Sequence, residues 1–202
     1  MTSLIHKAGF ESGVCKPADK HQPNGYYENV RMTQLLTSYL RHFDKQRQGK
    51  QFQPTDLDWD WPNFGSLMLD IVLDEMHGSR WVFKSTKLPI CWRVVASHFP
   101  HARWLWVHRD EDDVIRSMQR TPFMDAYNDP QDWGDMVARY TVMREEMQDT
   151  VNHFASFDAG AIIRGDVFEC KEVLHYIGLP DVDALTLMQR TVKADQWHCG
   201  KN

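Results

Sequence analysis

The chain has 202 residues, enough for one domain with a real core, and its 42% hydrophobic and 25% charged residues are those of an ordinary globular protein. A net charge of −5 excludes a broad electrostatic nucleic-acid surface, so any anion site must be local, built from a few placed cations and backbone amides. Eight Trp and ten Met are a high count that core packing accounts for. The four cysteines (Cys15, Cys91, Cys170 and Cys199) are widely spaced with no C-x-x-C pair, which points to reduced thiols and a cytoplasmic setting. No H-x-x-x-H or Cys/His cluster has ligand spacing, so no metal is expected. No apolar run approaches the length of a membrane span, no signal-peptide pattern opens the chain, and no membrane partner is expected.

In chain order, Met1 to Gly9 reads as a short helix, with Thr2 or Ser3 as N-cap and Gly9 as its stop. Residues 10–25 read as a loop that closes on the turn signal Gln22-Pro23-Asn24-Gly25. Tyr26 to Asn29 leads into a helix over Val30–Phe43, whose apolar stripe is Met32, Leu35, Leu36, Tyr39, Leu40 and Phe43. Residues 44–63 read as an irregular surface excursion, and a helix follows from Phe64 to Met76. Trp81-Val82-Phe83 is expected as a short buried strand ended by Lys84. Pro89 then opens a helix through Ile90 to Phe99.

Trp104-Leu105-Trp106-Val107 is an apolar run of strand length. Asp110 to Asp113 gathers four acids at the start of the next helix, where they suit the positive end of its dipole. A loop over Thr121 to Pro130 precedes a long amphipathic helix over Asp132–Phe154. Ala161-Ile162-Ile163 is expected as a third strand, ended by Arg164. A helix ending at Ile177 is stopped by Gly178-Leu179-Pro180, and a short helix over Val182–Arg190 precedes a polar tail with Trp197. With no repeat or linker, residues 1–202 read as a single α/β domain. Strand–helix–strand–helix order implies a mainly parallel sheet.

Two expected strand ends carry cations, Lys84 and Arg109, each followed by hydroxyl residues: Ser85 and Thr86 in one case, Ser117 in the other. The C-terminal edge of a parallel sheet is where open α/β folds bind ligands. A cation at a strand end and a hydroxyl two turns into the next helix can hydrogen-bond one phosphate. Thr2 and Ser3 add hydroxyls and amides at a helix start. The alternative is that Arg109 pairs with the neighbouring acids and Ser117 faces solvent.

Several segments, in order, resemble the sulfotransferases that use 3′-phosphoadenosine 5′-phosphosulfate. Thr2-Ser3-Leu4 resembles the end of their phosphosulfate-binding loop. Asn24-Gly25-Tyr26-Tyr27-Glu28 is similar to the Asn-Gly-Tyr-Phe-Glu of many bacterial members. Phe83 to Pro89 resembles the strand end and turn that approach the sulfuryl group, and Arg109 with Ser117 has the family's Arg-(seven residues)-Ser spacing. Ile162 to Pro180 resembles the late strand and helix. The resemblance implies a three-layer α/β/α fold with a central, mainly parallel sheet, of the P-loop nucleoside-triphosphate-hydrolase-like, sulfotransferase type. It implies transfer of a sulfuryl group to a hydroxyl or amine of a small-molecule or glycan acceptor, without a metal.

The residue roles follow from the same resemblance. Lys84 would neutralise charge on the transferred group, and Glu28 would serve as base, since the family's frequent His after the strand-end Lys is absent here. An ordinary carboxylate at a helix start is the other reading of Glu28. Thr2 and Ser3 would hold the 5′ end of the donor, and Arg109 and Ser117 its 3′-phosphate. Arg190 and Trp197 resemble the late basic segment that covers the nucleotide. Trp59, Trp61, Phe123 and Trp133, in the loops at 52–63 and 121–133, are candidates for acceptor contact.

The family's first strand and most of its phosphosulfate loop would stand before Thr2, so the resemblance implies an N-terminally truncated member. A late start, a substitute segment or subunit, and a degenerate relative are three explanations. The last is the alternative function: a non-catalytic relative that binds a nucleotide or a partner. A P-loop phosphotransferase would need a G-x-x-x-x-G-K-[ST] loop, which the sequence lacks.

Overall fold

The computed structural model describes residues 1–19, 25–43, 63–78, 80–121, 127 and 129–192. The chain separates into two compact units, one holding the elements before residue 100 and the other those that follow. It is an α/β protein with a two-stranded parallel sheet among the described residues. No described helix is long and apolar enough to cross a membrane.

The first unit contains α1 (Thr2–Lys7), α2 (Val30–Phe43), α3 (Phe64–Glu75) and α4 (Leu88–His98). Gly9 ends α1 as expected. Its φ of +98° lets its N–H donate to the His6 carbonyl while the Phe10 N–H reaches the Ile5 carbonyl, the paired bonds of a Schellman stop. Thr2 and Ser3 are not caps, contrary to expectation: the N-cap is Met1, with no side-chain hydrogen bond, and both hydroxyl residues lie inside the first turn. The expected stripe of α2 forms the core of this unit, with Met32, Leu36, Tyr39 and Leu40 buried, and Tyr39 packs on Phe64 of α3 at 5.1 Å between ring centroids. Gly65 lets α3 approach α4 closely, since a Cβ there would run into the His98 ring.

Trp81-Val82-Phe83 does not become a strand. It makes one parallel bridge, in which the Glu11 N–H donates to the Arg80 carbonyl (3.0 Å) and the Val82 N–H to the Glu11 carbonyl (2.8 Å). A run of three half-buried residues has no further ladder partner among the described residues.

One buried amide ties the unit together. Asn29 is 1% exposed. Its Oδ1 accepts from the Met32 N–H at 2.9 Å, capping α2, and its Nδ2 donates to the Ser12 carbonyl (3.1 Å) and to Glu75 Oε2 (2.7 Å). Glu75 also accepts from the Val14 N–H at 3.0 Å and pairs with Arg31. Gly13, at φ +64°, passes so close that a Cβ would sit 2.5 Å from Asn29 Nδ2.

The second unit contains β1 (Trp104–His108), α5 (Glu111–Arg120), α6 (Pro130–Thr150), β2 (Phe154–Asp158), α7 (Ala159–Ile163), α8 (Val167–Tyr176) and α9 (Ala184–Thr191). The strands run parallel in the register Trp104↔Phe154 through His108↔Asp158. The Ala161–Ile163 strand is a correction: these residues form α7, and the strand is the segment just before it. Asp158 stops β2 and caps α7 through the Gly160 N–H, so the chain turns helical before the Ile pair. The long helix accordingly ends at Thr150 rather than Phe154. Gly178 stops α8 in the expected way, with Gly178 N–H on His175 and Leu179 N–H on Leu174. Seven of the nine methionines among the described residues are buried, in keeping with core packing.

Each helix of this unit starts on an aspartate whose carboxylate accepts a backbone N–H: Asp110, Asp129, Asp158, Asp166 and Asp183 for α5 to α9. Partial burial pushes the Asp158 carboxyl up, but hydrogen bonds from the Gly160 and Ala161 amides and from Arg164 outweigh it and hold the group below its usual range. The Thr186 hydroxyl and amide do the same for Asp183.

Two predictions follow from these contacts. Asn29→Ala removes the α2 cap and leaves Glu75 and the Ser12 carbonyl short of a donor, and should cost about 2–3 kcal/mol in urea unfolding. Because Asp158 and Asp183 have depressed folded-state values, their contribution is complete above about pH 4, the unfolded carboxylate value, and is lost as pH falls through the folded ones. The double variant Asp158→Asn, Asp183→Asn keeps a capping oxygen without titrating. Its stability should fall less than the wild type's between pH 7 and pH 3, read by circular dichroism.

Candidate functional site

Lys84 and Glu28 are 56 residues apart in sequence and meet in the first unit. The Glu11–Trp81 bridge fixes the segment that carries Lys84, and the buried Asn29, the residue after Glu28, fixes the other. Lys84 Nζ lies 3.0 Å from Glu28 Oε1 and donates to the Tyr26 carbonyl at 3.3 Å. The side chains are 38% and 18% exposed, so a solute can reach the cation while the carboxylate is mostly enclosed. Both residues expected to carry chemistry are thus joined in one ion pair.

The segment that brings Glu28 there has an unusual backbone. Gly25 has φ +86° and Tyr27, which is not a glycine, has φ +53°. On either side the chain is tied down. The Lys16 N–H donates to the Glu28 carbonyl and the Val30 N–H to the Val14 carbonyl, both at 2.9 Å, around the Cys15–Asn29 bridge. The Tyr26 ring lies under the Lys16 ammonium at 3.7 Å and its hydroxyl donates to Asp19 at 2.7 Å, which raises the Tyr26 phenol above its usual range. The Tyr27 ring packs on His6 of α1 at 5.3 Å.

Cys15 stands beside this cluster. Burial, and then the nearby Glu75 and Glu28 carboxylates, push its thiol up, and it donates to the Ser12 carbonyl at 3.4 Å. Burial likewise pushes Cys91 up to about 12. Thr2 and Ser3 are half-buried in the first turn of α1, on the helix whose His6 meets Tyr27.

In the second unit, Arg109 follows β1 directly, at the C-terminal edge of the sheet as expected, and is half-buried between the strand and the Asp110 cap. Ser117 is half-buried on α5, seven residues past that cap, close to two full turns and so near the same face of the helix. Its carbonyl accepts the Thr121 hydroxyl at 2.7 Å. Arg190 is exposed in the last turn of α9. Trp197, Trp59, Trp61 and Phe123 lie outside the described residues. Trp133 is no candidate for acceptor stacking: it is fully buried on α6 with its ring edge-to-face against Tyr127 at 4.9 Å. Among the described residues no group of three or more His, Cys, Asp or Glu could hold a metal ion.

The Tyr26 carbonyl, Asn29 and Glu75 are the parts of this site that the sequence did not single out. The Gly25 turn was the available signal, but the pairing of Asn29 with Glu75 spans 46 residues and has no local signature. Comparison with protein-family models, curated proteins and solved structures returns no match to this chain.

A half-exposed ion pair contributes little to stability because water solvates the separated charges well. A double-mutant cycle of Lys84→Met and Glu28→Gln, followed by urea unfolding, should give a coupling of about 0.5–1 kcal/mol.

Proposed function

We propose that this protein is a sulfotransferase that moves a sulfuryl group from 3′-phosphoadenosine 5′-phosphosulfate to a hydroxyl or amine of a small-molecule or glycan acceptor. The observation that carries the reading is the 3.0 Å pair of Lys84 and Glu28. Such a transfer needs a cation where negative charge moves and a carboxylate where the acceptor loses its proton, and one group of each kind stands here.

The donor supplies an activated sulfur. The acceptor atom bonds to it as the bond to the phosphate oxygen breaks in line, releasing the adenosine bisphosphate. Catalysis is then mostly positioning and charge stabilisation, as in phosphoryl transfer. Glu28 takes the acceptor proton, and Lys84 offsets charge on the transferred group through an N–H not used by Glu28 or Tyr26. The resemblance assigns Arg109 and Ser117 to the 3′-phosphate, Thr2 and Ser3 to the 5′ end, and Arg190 and Trp197 to the nucleotide. The transfer as proposed calls for no metal.

The reading extends to the fold and the setting. The parallel pair β1–β2, with α5 and α6 between its strands, supports membership of a three-layer α/β/α, P-loop-like sheet. The free thiols of Cys15, Cys91 and Cys170 suit the cytoplasm. A second reading, a relative that binds without turnover, draws on the same ion pair, because a pin that holds the Tyr26–Glu28 segment needs no chemistry.

Titration calorimetry with 3′-phosphoadenosine 5′-phosphate, against adenosine 5′-phosphate, tests the donor site. The bisphosphate should bind and the monophosphate should not, and Arg109→Ala should weaken binding roughly 10- to 100-fold. Turnover that falls about 10²- to 10⁴-fold in Glu28→Gln separates the enzyme from the non-catalytic relative. A folded wild type that ignores the bisphosphate would end the proposal.

A further inference from the structure

We infer that Tyr27 is a positioning residue, whose left-handed backbone sets the Glu28 carboxylate and the Tyr26 carbonyl together on Lys84. The inference rests on the proposed transfer for its purpose and on geometry for its content. At φ +53°, Tyr27 occupies a region that residues other than Gly, Asn and Asp rarely visit. Such a residue is strained relative to a relaxed backbone, and persists only where its surroundings fix it on several sides.

Those surroundings are identifiable. Upstream, Lys84 holds the Tyr26 carbonyl at 3.3 Å, and Lys16 and Asp19 hold the Tyr26 side chain. Downstream, the Lys16 N–H holds the Glu28 carbonyl at 2.9 Å, and Asn29 is locked by its own three hydrogen bonds. At Tyr27 itself, the ring meets His6 at 5.3 Å. An extended residue at this position would send the chain onward without folding it back, so the Tyr26 carbonyl and the Glu28 side chain could not converge on one ammonium. The left-handed turn is the hinge of the pair, and the ring against His6 ties that hinge to α1.

The consequence is that backbone freedom at position 27, and not the phenol, governs the Lys84–Glu28 contact. Gly and Asn accept the left-handed conformation, Ala resists it, and a β-branched Val is excluded from it. The experiment repeats the Lys84→Met, Glu28→Gln cycle in the full chain carrying Tyr27→Gly, Tyr27→Asn, Tyr27→Ala or Tyr27→Val. It also records the ammonium ¹H–¹⁵N correlation of Lys84, assigned through its absence in Lys84→Arg. The two- to five-fold coupling in the unfolding constant should persist with Gly and Asn, fall with Ala and vanish with Val, and the Lys84 correlation should follow the same order. Should Val prevent folding, the contrast of Ala with Asn decides alone. Equal coupling in Ala and Asn, or an intact Lys84 signal in a folded Val variant, overturns the inference. On catalysis, Tyr27→Ala should lower kcat about tenfold at unchanged donor KM, with Tyr27→Asn restoring it. These stability and resonance readouts do not depend on sulfuryl transfer. A chain that fails to bind the bisphosphate but keeps the graded coupling would therefore end the transfer proposal and leave this inference standing.

Discussion

The carboxamide of Asn29 is the constraint on which the first unit depends. A buried amide must satisfy both its donor and its acceptor, and Asn29 does so with three partners from separate parts of the chain: the Met32 N–H, the Ser12 carbonyl and Glu75. That one set of bonds starts α2, fixes the 12–15 strand of loop and anchors the end of α3. It also makes the little-exposed Glu75 carboxylate tolerable, because Val14, Asn29 and Arg31 surround it with donors. The site inherits this rigidity, since Glu28 is the residue immediately before the lock. Gly13 is part of the same arrangement, and any side chain there would displace the amide.

The second unit is held by a different device used repeatedly. Five aspartates stand at five helix starts, each accepting amides that have no partner within the helix. This explains where part of the acidic balance of the chain goes: these carboxylates belong to backbone geometry. Asp110 is occupied with the Asp113 N–H, and Asp113 with Arg116, so the acidic run has structural partners of its own. The cation of Arg109 stands at the sheet edge where β1 gives way to α5, the position from which a strand-end residue addresses a ligand in open parallel sheets.

What could be read from the sequence follows the range of the interactions involved. Helical periodicity and chain-terminating glycines act within a few residues, and α2, α3, α8 and the stops at Gly9 and Gly178 were legible from them. The strand at 154–158 was not. Phe-Ala-Ser-Phe-Asp is short and half polar, whereas Ala161-Ile162-Ile163 is apolar and β-branched, yet the Asp158 cap committed the latter to helix. Pairing with β1, not propensity, makes the former a strand. Of the site, Lys84 and Glu28 were legible as residue types in motifs. Their contact was not, because it depends on the left-handed backbone of Tyr27 and on the Asn29 lock, both set by tertiary partners.

Magnitudes bound what the Lys84–Glu28 contact contributes to folding. An ion pair with one member 38% exposed contributes at most about 1 kcal/mol to folding, since its Coulomb energy is screened and two side chains must be ordered to make it. Holding a tyrosine at φ +53° beside it costs roughly 1–2 kcal/mol. The strain is therefore at least as large as the stability that the pair returns, and a glycine at position 27 would keep the contact with less strain. Under the proposed transfer the fixed distance between cation and carboxylate matters more than the stability it adds, because reaction rates respond to displacements of about 1 Å that folding energies barely register. Within the proposed transfer, the lock at Asn29 and the turn at Tyr27 have one role: together they hold the Glu28 carboxylate 3.0 Å from Lys84.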